Sequence, residues 1–336
     1  MIERLTSRAM AGITAAVLAV GMTVGAAVAS DIPDTPEPGP IRMGLEPWLG
    51  YGQWHIAEKQ GLFGKVGLDD VVLVNFTTDA EINGALAAGE LDAANVATHT
   101  AMEFVAAGLD VHIVALLDVS TMADAIIAQP PIALVTDLDG KRVAYEPGST
   151  SEILLQYALA QNGLSIGYIT PVPLEAAEAG KALVEAKVQA AVTYEPYLSV
   201  ARSEDNQLET VFTAGAEPGL ISDVLVVRAD FAASRPGAIV ALLKSWQAAL
   251  DFYEADVPRG RAIIAGAVGA DPQVLKTAFD GVVYYSLEQN RKVLTGTFLT
   301  EIIPDIEDAA VGAGLLDGPV DMSKAVDGRF VDEAVK

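Results

Sequence analysis

The sequence predicts an α/β chain built as two lobes, each a mainly parallel sheet flanked by helices. Three observations carry that expectation. Short apolar runs alternate with longer amphipathic ones whose ends are marked by glycine, the pattern of parallel βαβ units. The order of elements starts again near residue 137. Two stretches also recur at nearly one spacing: "ALAAGELDAA" from Ala85 returns as "ALVEAKVQAA" from Ala182, 97 residues on, and "GL" at 67–68 returns at 163–164, 96 residues on. That period is far longer than the roughly 20–50 residues of a solenoid repeat, so it describes two domains.

Taken in order, "SDIPDTPEPGP" (30–40) is acidic and proline-rich and reads as a linker without a core. "IRMGLEP" then reads as a strand, "GQWHIAEKQGLF" as a helix, "DVVLVNF" as a strand, "DAEINGALAAG" as a helix and "LDAANVA" as a buried strand. "HTAMEFVAAG" is a helix and "VHIVALLD" a strand. In the second pass "KRVAYE" is a strand, "STSEILLQYALAQNG" a helix ended by Gly163, "ITPVPL" a strand, "AAEAGKALVEA" a helix and "VQAAVTY" a buried strand, with a further helix from Pro196. After these come the strand "ISDVLVVRADF" and the amphipathic helix "SRPGAIVALLKSWQAALDFY", with Ser234 as its N-cap and Pro236 in its first turn. More helices are expected through "DPQVLKTAFDGVVYY" and "TGTFLTEIIPDI". A chain that builds one lobe, then a second, then more helices returns to the first lobe. This leaves a cleft at the carboxyl ends of the strands, where open parallel sheets bind ligands.

Charge and composition narrow the function. The 336 residues hold 21 Lys and Arg against 45 Asp and Glu, a formal charge of −24. Nucleic acid is not expected as a partner, because a polyanion would be repelled and no basic cluster offsets the field. The absence of cysteine excludes disulfides, thiolate nucleophiles and cysteine-ligated metals. Arg4 and Arg8, an uncharged apolar stretch and the small residues Ala27 and Ala29 read as a signal peptide over residues 1–29, cleaved after Ala29. An uncleaved anchor is the alternative reading of that stretch. No later apolar run is long enough to span a bilayer, so a soluble periplasmic protein is expected.

Five segments, in this order and spacing, resemble one family. "EPWLGYGQWHIAEKQGLFGKVGL", "GALAAGELDAA", "DLDGKRVAYEPGS", "QAAVTYEPY" and "DVLVVR" are similar to the nitrate/sulfonate/taurine-type substrate-binding proteins of ABC importers. The resemblance covers about Ile41 to Phe298. It implies a two-lobed type II periplasmic-binding fold with crossovers near Ala123–Gln129 and Gly219–Leu225. The lobes would be 41–126 with 224–336, and 127–223. It also implies a non-enzymatic monomer without cofactor or metal that captures a small organic ligand for an ABC permease in the inner membrane, with an amine-bearing, taurine- or aliphatic-sulfonate-like solute as the leading expectation and a thiamine-precursor pyrimidine as the alternative. Family ligands include sulfonates, taurine, nitrate and thiamine-precursor pyrimidines. An exported enzyme on the same fold, using Glu195 or His99 as acid or base, is the rival class.

The candidate ligand-binding residues follow from their places at strand ends. Trp48 and Tyr51, in a glycine-flanked loop, suit the flat wall of a pocket, whereas Trp54 suits the core side of its helix. Ser149-Thr150-Ser151-Glu152 reads as a capping box, and the same helix start could receive an acidic ligand group. Thr98 and His99 begin a helix at the place in lobe one that "TYEPY" holds in lobe two; an N-cap threonine and a ligand contact are the competing readings. Asp118, Asp124 and Asp223 lie near the crossovers. With Glu146 and Glu195 they make the cleft acidic, which points away from a bare anion and toward a ligand with an amine or amidine-like edge. Glu195 raises a specific question. Pro196 suits the first helical position, which makes Glu195 the N-cap, a place that glutamate does not favour. Coming off a buried strand beside Tyr194, it is expected to point into the cleft, as the "YEP" segment implies in the family. "GLSIG" (163–167) matches a hydrolase nucleophile elbow, but it follows a helix and precedes a strand, the wrong context. "GYG" (50–52) lacks the third glycine of a dinucleotide fingerprint.

Overall fold

Eleven strands form two sheets in the computed structural model, which describes residues 32–336. The predicted signal peptide lies outside the described residues. The strands are β1 (Ile41–Leu45), β2 (Val71–Asn75), β3 (Ala93–Ala97), β4 (Val111–Ser120), β5 (Asp124–Ala128), β6 (Arg142–Tyr145), β7 (Thr170–Pro173), β8 (Ala190–Tyr194), β9 (Glu209–Thr213), β10 (Ser222–Arg228) and β11 (Val282–Tyr284). One sheet has the order β11-β4-β10-β3-β1-β2 and the other β7-β6-β8-β5-β9.

The repeat read from the sequence is a repeat of topology. In each half the second, first and third strands lie side by side in parallel, β2-β1-β3 in one and β7-β6-β8 in the other. The helices before the third strands, Asp79–Ala87 and Ala176–Val184, are offset by the same 97 residues as the sequence match. β3 and β8 are buried along their whole length, so they read as continuous small apolar runs, "AANVA" and "AAVTY".

Each sheet is mixed, with β10 and β11 in one and β5 in the other running against a parallel majority, for a physical reason. The chain enters β5 from the six-stranded half and β10 from the five-stranded half, each time at the carboxyl edge of the parallel strands. Both must therefore run back antiparallel to β8 and β3. The connections occupy 121–123 and 214–221, so Asp124–Ile126 belong to the five-stranded sheet and Ser222–Asp223 to the six-stranded one. The two connections lie side by side: a Cβ on Gly215 would sit 2.6 Å from the Thr121 carbonyl oxygen.

The return to the first half is as expected, with differences in detail. Residues 271–285, expected as helix, form turns, a short 3-10 helix at Ala278–Gly281 and then β11, which pairs with β4. Ser234 is not the cap of the long helix Pro236–Ala255; it closes the preceding helix, its hydroxyl donating to the Asp230 carbonyl at 2.7 Å. The long helix is capped instead by Glu37, whose carboxylate accepts from the N–H groups of Gly237 (3.3 Å) and Ala238 (2.9 Å). Arg235 donates to the carbonyls of Glu37, Gly39 and Pro40. The segment expected as a linker without a core is thus tied to the helix over its described part. The helix Ile303–Ala313 also reaches the five-stranded half, where Gln156 Nε2 donates to the Ala313 carbonyl at 2.7 Å. Among the described residues no helix is long and apolar enough to cross a membrane.

Candidate functional site

The carboxyl ends of the parallel strands in both halves meet around a narrow cavity of about 20 Å³, room for about one water molecule until the halves part. From the six-stranded half, the loop after β1 brings in Glu46, Trp48 and Tyr51. That loop folds so tightly that a Cβ on Gly50 would lie 2.1 Å from both Asp118 Oδ2 and Trp48 Nε1. Trp48 Nε1 donates to Asp118 Oδ1 at 3.1 Å, and Tyr51 Oη donates to Asp223 Oδ1 at 2.8 Å. Asp118 and Asp223 are register partners in β4 and β10, so their carboxyl groups stand together. Burial and the nearby Asp223 charge hold Asp118 well above the usual carboxylate range, and burial pushes Asp223 up to about 6.

The five-stranded half supplies Asp124, Thr150 and Tyr194. Asp124 opens β5 and pairs in register with Tyr194 at the end of β8. Burial pushes Asp124 up to about 7; the Asp223 charge adds to this, while the Ser120 and Thr150 hydroxyls act against it. The rings of Trp48 and Tyr194 meet edge to face across the cavity, with centroids 5.8 Å apart.

Of the residues singled out in the sequence, Trp48, Tyr51, Thr150, Tyr194 and Asp223 line this space, along with Asp124. Asp118 stands behind Trp48. Glu146, Ser149, Thr98, His99 and Glu195 do not line it. Thr98 bonds to Ser222, with its hydroxyl 2.8 Å from Ser222 Oγ, and so ties the end of β3 to the start of β10. His99 is buried, and burial lowers its pKa to about 4, which keeps the ring neutral. Ser149 is the N-cap of the helix Thr150–Gln161, but its hydroxyl accepts from Ser151 N–H at 3.1 Å, and Glu152 reaches back to Gly148 N–H rather than to Ser149. Glu146 accepts from Ala176 N–H at 3.1 Å, at the start of the helix Ala176–Val184, and Asp79 N–H in the other half also favours its carboxylate.

Glu195 answers the question that the sequence raised. The helix begins at Tyr197 with Pro196 at the cap position, one residue later than expected. The Glu195 carboxylate turns back onto that helix, accepting from Ser199 N–H (3.0 Å) and Ser199 Oγ (2.8 Å). It opens on a separate groove beside Arg202. Capping therefore does explain this residue, through its side chain from one position before the cap. Glu46 and Asp79 line the cavity and were not among the candidates. Glu46 directly follows β1, a strand-end position like that of Asp223, whereas Asp79 reads in sequence as an ordinary first-turn acid. Burial and neighbouring acids hold both well above the usual range.

The chain belongs to the NMT1-like family, whose model matches residues 34–269. It is similar to the taurine-binding periplasmic protein of Escherichia coli, at 26% identity over 284 residues, which are 82% of this chain and 88% of that protein. The alkanesulfonate-binding protein of Xanthomonas axonopodis pv. citri, solved with MOPS, superposes with a TM-score of 0.72 at 22% identity, covering 87% of this chain and 99% of that one. The periplasmic nitrate-binding protein of Synechocystis PCC 6803 superposes with a TM-score of 0.66 at 16% identity, covering 90% and 89%. The fold is the periplasmic-binding-protein fold expected from the sequence.

Proposed function

We propose that the protein is the periplasmic solute-binding component of an ABC importer, closing two lobes on a small organic ligand that carries an amine and presenting it to an inner-membrane permease. The lobes are the two halves divided at 121–123 and 214–221. The observation that carries this reading is the cavity at the carboxyl ends of both sets of parallel strands, lined by aromatic rings and carboxylates. Family membership and the taurine- and sulfonate-binding relatives support the transport class. Trp48, Tyr51 and Tyr194 form the walls, Asp223 and Asp124 hold the amine, and Thr150 lies at a helix start. The ligand leaves as it entered: the protein is a binding component rather than an enzyme, acts as a monomer, and reaches the periplasm through the leader over residues 1–29. A second reading, an amine-bearing heterocycle such as a pyrimidine, is favoured by the edge-to-face pair of Trp48 and Tyr194, which suits a flat ring.

The test is native mass spectrometry of the exported chain, followed by a thermal-shift screen of amine-bearing solutes. A retained small molecule, recovered unchanged after long incubation, is the expected result. A recovered molecule chemically altered by the protein would overturn the binding-component reading. If no amine-bearing solute is retained or raises the melting temperature, the ligand assignment fails.

A further inference from the structure

The duplicated architecture places one aspartate from each half at the same point. Asp223 pairs with Ala97 at the end of β3, and Asp124 pairs with Tyr194 at the end of β8; Ala97 and Tyr194 are themselves 97 residues apart. Both aspartates line the cavity, together with Glu46 and Asp79. Among the described residues no lysine, arginine or histidine lines it.

Buried oxygens without partners show what this cluster lacks. No hydrogen-bond donor reaches Asp124 Oδ2 or Glu46 Oε1, although these residues are only 3% and 8% exposed. An unpaired buried acceptor is costly, and a buried carboxylate more so. The missing complement is a set of N–H donors with positive charge. Among the described residues, no group of three or more His, Cys, Asp or Glu is arranged to hold a metal ion.

Resting on the reading that a small ligand occupies this cavity, we propose that the ligand carries nitrogen donors at both ends and a net positive charge, as a short diamine or an amine with an amidine-like group does. One end meets Asp223 beside Tyr51, the other meets Asp124 beside Thr150, and the apolar middle lies against Trp48 and Tyr194. An aminosulfonate satisfies only one of these ends, because its sulfonate would stand among carboxylates with no basic side chain to receive it.

Proton linkage gives this proposal an independent sign. The charges acting most strongly on Glu46, Asp79, Asp118 and Asp124 are all carboxylates, including Glu146, Glu81 and Glu103 at the margin. Tyr51 and Tyr194, which face the same space, are pushed up and stay neutral. In the empty site part of this cluster holds protons at neutral pH. An entering cation favours the carboxylate forms and expels protons, whereas an entering anion draws protons in.

The experiment is isothermal titration of the exported chain with 1,4-diaminobutane, agmatine, taurine and ethanesulfonate, each in two buffers of different ionisation enthalpy. At least one of the two cations is expected to bind tenfold or more tightly than taurine and to release protons. Asp124→Asn and Asp223→Asn are each expected to weaken that cation about ten- to a hundredfold, with unchanged far-ultraviolet circular dichroism. If taurine binds as tightly as either cation, or if cation binding takes up protons, the proposal is overturned and the importer reading stands. If none of the four binds, both the proposal and the amine assignment fall. Should an Asn variant not fold, the sign of proton exchange in the unaltered chain still decides.

Discussion

Glu146 offers a test of whether the two halves close as lobes. Its carboxylate accepts from Ala176 N–H at 3.1 Å and is also favoured by Asp79 N–H. Ala176 and Asp79 are the first residues of equivalent helices in opposite halves. The carboxylate thus caps the Ala176 helix and lies near enough to the start of the Asp79 helix for that N–H to favour its charge. Glu146→Gln keeps one acceptor oxygen, enough for Ala176, but presents N–H groups rather than an acceptor on the other side. The loss thus falls on the state in which the halves meet. A hydrogen bond to a charged group contributes about 1.5–3 kcal/mol, and a helix N-terminus adds about 0.3–1 kcal/mol of favourable dipole interaction. Burial raises the Glu146 pKa, so desolvation already opposes its charge and the lower end of that range applies. About 1.5 kcal/mol lost from the closed state lowers apparent affinity roughly tenfold. Calorimetry with the retained ligand measures that loss, and small-angle scattering of the ligand-free chain is expected to show a larger radius of gyration in the variant. Unchanged affinity and radius, with only a lower melting temperature, would show that Glu146 caps the Ala176 helix and does nothing across the cleft.

Three further expectations follow from the geometry. Glu195→Ala removes a helix cap and is expected to cost about 0.5–2 kcal/mol in denaturant titration while leaving ligand affinity within about twofold; a tenfold affinity loss at full stability would return Glu195 to the ligand. Gly50→Ala forces Asp118 and Trp48 apart and is expected to abolish ligand binding in calorimetry while circular dichroism shows the core intact, so retained affinity would refute the packing argument. Asp124, Glu103 and Glu195 near 7 and Asp223 near 6 lie above their unfolded values of about 4, so the folded state binds more protons and stability falls as pH rises from about 4 through 7. His55 and His99, lowered to about 4, act oppositely and cost stability as pH falls below about 6.5. Calorimetry of the ligand-free chain should therefore give a higher melting temperature at pH 6.5 than at pH 8, and the reverse order would refute the raised carboxylates.

The parts of the fold legible in the sequence are those where burial imposes a period. β1, β3 and β8 and the helices Thr150–Gln161 and Pro236–Ala255 lie where apolar spacing placed them, because each packs into the core over its length. β9, with "ETVFT" half-exposed, and β11, only three residues long, carry no such signal; pairing with β5 and β4 makes them strands. The site divides in the same way. Trp48 and Tyr51 are visible as aromatics in a glycine-rich loop. The acids are harder to sort, because a strand-end acid looks the same whether its side chain enters the cavity, as Asp223 does, or turns back to cap its helix, as Glu195 does. Local hydrogen bonding to a serine four residues on decided the second case, and "EPYLS" carries that signal only once the helix start is known.

The cavity itself comes from a difference between two copies of one design. β3 and β8 end in the same register against their antiparallel neighbours, yet one ends in Ala97 and the other in Tyr194. The small side chain leaves space at the end of its sheet, and the large ring from the opposite sheet closes that space from the other side against Trp48. The next residues diverge as well: Thr98 bonds across to Ser222, holding β3 to β10, while Glu195 is spent on its own helix. What the copies keep in common is the aspartate opposite each strand end. Symmetry thus supplies two matched carboxylates at the cavity wall, one from each half. A ligand with one anionic end would use only half of such an arrangement; a ligand with a donor at each end uses both halves, and only a ligand held by both halves gains from their closing.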